Sequence, residues 1–130
     1  MANTVLTQVL NDGPKNAVLK VYLASDGSSG ELTDQVVVDV SALSGAPAKV
    51  SLVGLTATTT GCSFVLEWDA TADVPILGFP ADSEDSFCFE KFGGLPNNSG
   101  AGRTGDVVLS TVGFTAAGDQ ITLILHVKKD

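Results

Sequence analysis

Charge is scarce in this chain. Only 17% of its 130 residues are Asp, Glu, Lys or Arg, against about 25% in an ordinary soluble domain. Many surface positions must therefore carry Ser, Thr, Gly or apolar groups, which suits a protein that covers part of its surface by association. Positive charge is scarcer still: 7 basic residues stand against 15 acidic ones, for a net charge of −8. Phosphate backbones and anionic lipid headgroups are bound mainly by Lys and Arg, so neither a nucleic acid nor a membrane is an expected partner. The longest apolar runs fall far short of the ~20 residues that span a bilayer as a helix. Histidine occurs once and tryptophan and tyrosine once each. A zinc site built on several histidines and a sugar site built on aromatic platforms both start from too few residues. The two cysteines, Cys62 and Cys88, form no C-x-x-C pair, which removes the usual metal or redox signature.

What is present is a succession of short β-prone runs divided by turn residues, with no helix-length window of 3.6-residue periodicity. Thr4–Leu10 ends at Asn-Asp-Gly-Pro, and Ala17–Ala24 places Leu19, Val21 and Leu23 on one face. The polar loop SDGSSGELT leads to Gln35–Val40. Lys49–Thr56 and Cys62–Trp68 read as a hairpin joined by a Thr-rich connection ending at Gly61. Val74–Leu77, flanked by prolines, reads as a short edge strand. Ser86–Lys91, Asp106–Val112 and Gln120–Lys128 complete the set, the last with Ile121, Leu123, Leu125 and Val127 on one face. Eight or nine short strands with no room for crossover helices predict one all-β domain over residues 1–130, an antiparallel β-sandwich of jelly-roll-like topology. Strand parity puts Cys62 with Phe64, Leu66 and Trp68, but Cys88 opposite Phe87 and Phe89, so the two thiols are expected on opposite sides.

Several motifs invite chemistry. Gly100-Ala-Gly-Arg-Thr-Gly105 has the G-x-G-x-x-G spacing, but a dinucleotide site needs a strand before the glycines and a helix after them. Here a polar loop precedes and the β-branched DVVLSTV follows, and no Lys follows Gly105 as a P-loop requires. The glycines are expected to turn a long loop. His126 lies in the last strand with no nucleophile elbow elsewhere. Asp69, Asp73, Asp82, Glu84 and Asp85 sit in or beside loops without EF-hand spacing, and read as solvated acids, with a calcium site as the alternative. Asn97-Asn98-Ser99 fits a glycosylation sequon, but the opening MANTVLTQVLNDG lacks a basic n-region and an apolar h-region, so cytosolic synthesis is expected. Phe64, Trp68, Phe79, Phe87, Phe89 and Phe92 read as core, with Phe79 or Phe92 as alternative subunit anchors. No catalytic residue, cofactor or metal is expected.

The blocks MANTVLTQVLNDGPKNAVLKV, EWDATADVPI, FGGLPNNSGAGRTGDVVLSTVGF and DQITLILHVKK resemble small structural proteins of tailed bacteriophages, including phages of aquatic bacteria. The likeness spans nearly the whole chain and is thinnest from about Ser25 to Thr60. It implies a virion component, foremost a non-enzymatic head decoration or cement protein on the capsid exterior. The major capsid protein would be its partner, and a homotrimer its assembly state. A tail or adaptor component, or a carbohydrate- or receptor-binding sandwich on the particle, is the alternative. On this reading Asn97, Asn98, Arg103, Phe79 and Phe92 are candidate assembly contacts, and an N-terminal arm at about residues 1–13 is a candidate for exchange or capsid contact.

Overall fold

The computed structural model describes residues 3–130. Nine strands carry it: β1 (Thr4–Asp12), β2 (Asn16–Ala24), β3 (Gln35–Val38), β4 (Val50–Thr60), β5 (Ser63–Trp68), β6 (Val74–Phe79), β7 (Glu84–Cys88), β8 (Val107–Val112) and β9 (Gln120–Lys129). Two single-turn 3₁₀ helices interrupt them, at Val40–Ala42 and Glu90–Phe92. The first is capped by Asp39, whose carboxylate accepts from the Ser41 N–H and hydroxyl, as expected of a short polar side chain at a helix start.

The strands form two antiparallel sheets, one in the order β1-β2-β9-β4-β7 and the other β3-β8-β5-β6. Leaving β1 aside, successive strands alternate between the sheets except at β5–β6, so the chain winds around a shared interior. That is the eight-stranded jelly roll, with β1 added at one edge. The winding corrects one reading of the sequence. The runs either side of Gly61 are not a hairpin, because β4 and β5 belong to opposite sheets. The reason lies in the length of β4, which continues through the Thr-rich segment to Thr60. Threonine is β-branched and suits a pleated surface. Ala57 and Thr59 point inward while Thr56, Thr58 and Thr60 face water.

Alternation in β2 and β9 supplies the centre of the core. Leu19, Val21, Leu23, Ile121, Leu123, Leu125 and Val127 from one sheet are buried with Phe64, Leu66, Trp68 and Leu109 from the other. Phe114, in the β8–β9 connection, is also fully enclosed. Its loop is held by Glu31, whose carboxylate accepts from Thr111 Oγ1, Gly113 N–H and Phe114 N–H. Cys62 is buried and Cys88 exposed, both as free thiols, on the faces that strand parity assigns.

The arm expected at about residues 1–13 is, over Thr4–Asp12, a strand in register with β2 from Thr4↔Ala24 to Asp12↔Ala17. Residues 1 and 2 lie outside the described part. Both ends of β1 are pinned. The Asn3 amide donates to Gly30 O and its carbonyl accepts from Asp26 N–H, each at 3.0 Å. Asp12 pairs with Lys129 at 2.5 Å and accepts from Ser44 N–H, and these contacts, the Lys129 hydrogen bond first, hold its carboxyl below the ordinary range.

Candidate functional site

The long loop of residues 93–106 is where the sequence concentrates its polar candidates, and the structure closes it onto the sandwich. At its start the backbones of Leu52 and Leu95 exchange two hydrogen bonds, at 2.9 and 2.8 Å. Further on, Thr71 N–H donates to Ala101 O and Thr104 N–H to Asp69 O. The Thr104 hydroxyl donates to the Asp69 carboxylate at 2.8 Å, and Asp69 N–H donates to Asp106 O. The 100–105 glycine stretch is thus stitched to the β5–β6 turn. Gly105 is buried, with φ +91° and its Cα against the Ala48 carbonyl. The stretch leads into strand β8 and not into a helix, so it lacks the helix start on which a dinucleotide phosphate rests.

The five candidate contacts separate. Asn97 is buried, and its side-chain oxygen accepts from Ser99 N–H at 3.0 Å and from the Ser99 hydroxyl. It is a loop-shaping residue, unavailable to a neighbouring subunit or to a glycosyl group. Arg103 is exposed but turned back on its own loop, its guanidinium donating to Ser99 O and Oγ. Asn98 is exposed. Phe79 is 3% exposed, stacked on Phe64 at 5.3 Å and meeting Phe87 edge-on; it is core, because its β6 position pairs with Phe64 across the sheet. Phe92 is the outlier at 66% exposed. It ends a file of rings running Phe64, Phe79, Phe87, Phe89, Phe92 with spacings of 5.3 to 6.3 Å, from the interior out to solvent.

The loop acids also sort differently from their order in sequence. Asp82, Glu84 and Asp85 lie along the β4–β7 edge beside Thr56, Thr58 and Thr60. Asp73 instead meets Asp34 and Glu67, their carboxylate oxygens within 4.8 Å of one another. Oxygen donors of this kind are what a hard cation takes. Asp34 and Glu67 escape a reading of the sequence because only the adjacency of β3, β8, β5 and β6 brings them to Asp73. Desolvation, then Asp73 and Asp69, raise the Asp34 carboxyl above its ordinary range, and desolvation with Asp73 and Asp34 raises Glu67.

A raised carboxyl binds its proton more tightly in the folded state. Stability is therefore lost as pH rises from the ordinary Asp range through the raised one. Asp34→Asn is expected to raise the thermal midpoint at neutral pH by about 1–3 °C. The gain should vanish below the ordinary Asp range, where both forms are neutral. Thermal melts across pH check it, and a gain that persists in acid contradicts the repulsion.

His126 stands on the outer face of its sheet, with Val18 and Gly54 as its cross-strand neighbours; no carboxylate occupies either position. Burial, aided by Asp119, Glu31 and Asp82, pushes the Cys62 thiol up to about 11, so it stays protonated and is a poor nucleophile.

No protein-family model matches the chain, and no curated protein is significantly similar to it in sequence. Among solved structures, it is similar to a cupin domain from Bordetella pertussis Tohama I at 8% identity and a TM-score of 0.38, covering 100% of this chain and 97% of that one. A cupin superfamily protein from Desulfitobacterium hafniense DCB-2 gives 7% identity and a TM-score of 0.34, over 96% and 79% of the two chains. At these values the likeness carries no argument about this protein's activity, and the jelly-roll assignment rests on its own strand order.

Proposed function

We propose that this chain is a non-catalytic structural component of a bacteriophage particle, a decoration or cement protein that holds to the outside of the head lattice by contact with the major capsid protein. The observation that carries the choice is the burial of Trp68 and Phe79, at 2% and 3% exposed. The sugar-binding alternative needs those rings open in a groove beside Asp69 and Asp73. With both spent on the core, the ring that stands open beside the 93–106 loop is Phe92, at 66% exposed. The sequence likeness to phage structural proteins and the net charge of −8, which suits an outer surface better than a DNA-facing one, support the same reading.

Heads assembled without the chain are expected to rupture at lower temperature than complete heads, and identical rupture would overturn the cement role. Phe92 tests the contact. Phe92→Ala should leave the isolated chain's stability within about 0.5 kcal/mol, as at an exposed position, while lowering its retention on heads about tenfold or more, in the manner of an aromatic anchor. Co-sedimentation with heads measures it; unchanged retention removes Phe92 from the interface.

A further inference from the structure

The four sheet edges are not equally guarded. An open edge invites pairing with another chain, and proteins blunt such edges with charges, proline, bulges or brevity. The β7 edge carries Glu84 and Asp85, β6 carries Pro75, and β3 is only four residues long with a register shift at Val36/Val38. The β1 edge has none of these over Thr4–Val9. Its one irregularity, between Val9 and Asn11, falls at the turn end. All nine β1 residues are exposed, and Val5, Leu6, Val9 and Leu10 are half of the exposed large apolar side chains among the described residues. Val5 and Val9 lie on the core-side face, opposite Leu23 and Leu19, yet remain 39% and 47% exposed, because β1 extends the five-stranded sheet past its four-stranded counterpart.

We infer that β1 is a homotypic docking edge, pairing antiparallel with β1 of a second copy about a two-fold axis and joining the two five-stranded sheets into one. Charge selects the occupant. Two chains of net charge −8 repel wherever acids face each other, and β1 carries no charge from Thr4 to Asn11, while Asp12 is neutralised by Lys129. The strand is also held at both ends by Asn3 and Asp12, so little ordering remains to be lost on pairing. Antiparallel pairing about a two-fold is self-complementary: the core-side Val5 and Val9 of each copy meet those of the other, and the free ladder groups of β1 find partners. One edge accepts one neighbour, so this contact closes a pair; a three-fold assembly would have to use another surface.

The test is sedimentation equilibrium of the full chain over a concentration series, with amide hydrogen exchange of β1. The expected mass is twice the 13.3 kDa of the chain, with protection at successive β1 amides instead of every second one. Val9→Lys buries an unpaired charge in the seam and should weaken pairing about a hundredfold or more, returning the single-chain mass with Trp68 emission unchanged. Should Val9→Lys lose the Trp68 signal, Leu6→Lys on the outer face repeats the test. The inference is overturned by a single-chain mass throughout, by a threefold mass, by free exchange at alternate β1 amides, or by pairs that a folded lysine variant leaves intact. It stands apart from the capsid reading: a chain that decorates heads but stays single in solution overturns this inference alone.

Discussion

Gly105→Ala is expected to destabilise the protein by about 2–4 kcal/mol, the range of a strained backbone combined with a core clash, and to lower its thermal midpoint by on the order of 10 °C. Two effects add. The backbone φ of +91° lies where a residue with a Cβ is held at a cost of about 1–2 kcal/mol. The new methyl would also drive into the Ala48 carbonyl, with Val40 Cγ2 only 3.1 Å away, and neither neighbour is the free end of a flexible side chain. Relief requires the 93–106 loop to lift from the segment before β4, which breaks the Thr104 and Asp106 contacts to Asp69. Gly100→Ala is the control within the same motif. It has no neighbour within 4 Å of an added Cβ, and should fall within about 0.5 kcal/mol of the parent. Urea titrations of both variants measure the contrast, and equal effects would contradict the packing described for Gly105.

Trp68→Ala should cost about 3–5 kcal/mol, the range for removing a large aromatic ring from a core. Against a total of roughly 5–15 kcal/mol for a domain, much of the protein would unfold on mild heating. Trp68 ends β5, pairing with Val74 of β6 and Val107 of β8, and Leu95 and Pro96 of the long loop border the same hollow as its ring. The cavity would therefore open between the four-stranded sheet and the loop. Far-ultraviolet circular dichroism is the measurement, since the sole tryptophan is lost. A cost below about 1 kcal/mol, as at an exposed site, would mean that the ring is not enclosed, and would return the sugar-binding alternative to consideration.

Much of the architecture was legible because strand alternation survives in sequence. Ile121, Leu123, Leu125 and Val127 announce the inward face of β9, and all four are fully buried. Parity also placed Cys62 inside and Cys88 outside. Pairing across the molecule was not legible. The Thr-rich end of β4 looked like a connection because its inward residues, Ala57 and Thr59, are small or polar, and that error turned an arch between sheets into a hairpin. The candidate contacts separate for a similar reason. Asn97 and Arg103 have the polarity of contact residues, but their partners are in their own loop, at Ser99. Phe79 and Phe92 are the same residue type beside similar turns; only the pairing of Phe79 with Phe64 decides which is buried. The acidic group of Asp34, Glu67 and Asp73 needs the order of the second sheet before it can be seen at all.

Cryo-electron microscopy of the intact particle tests the central claim most directly. Density fitting this jelly roll is expected on the outer surface of the head lattice, seated on the major capsid protein with the side bearing Phe92 toward it. Density at the tail-fibre tips, with the head lattice bare, would contradict it.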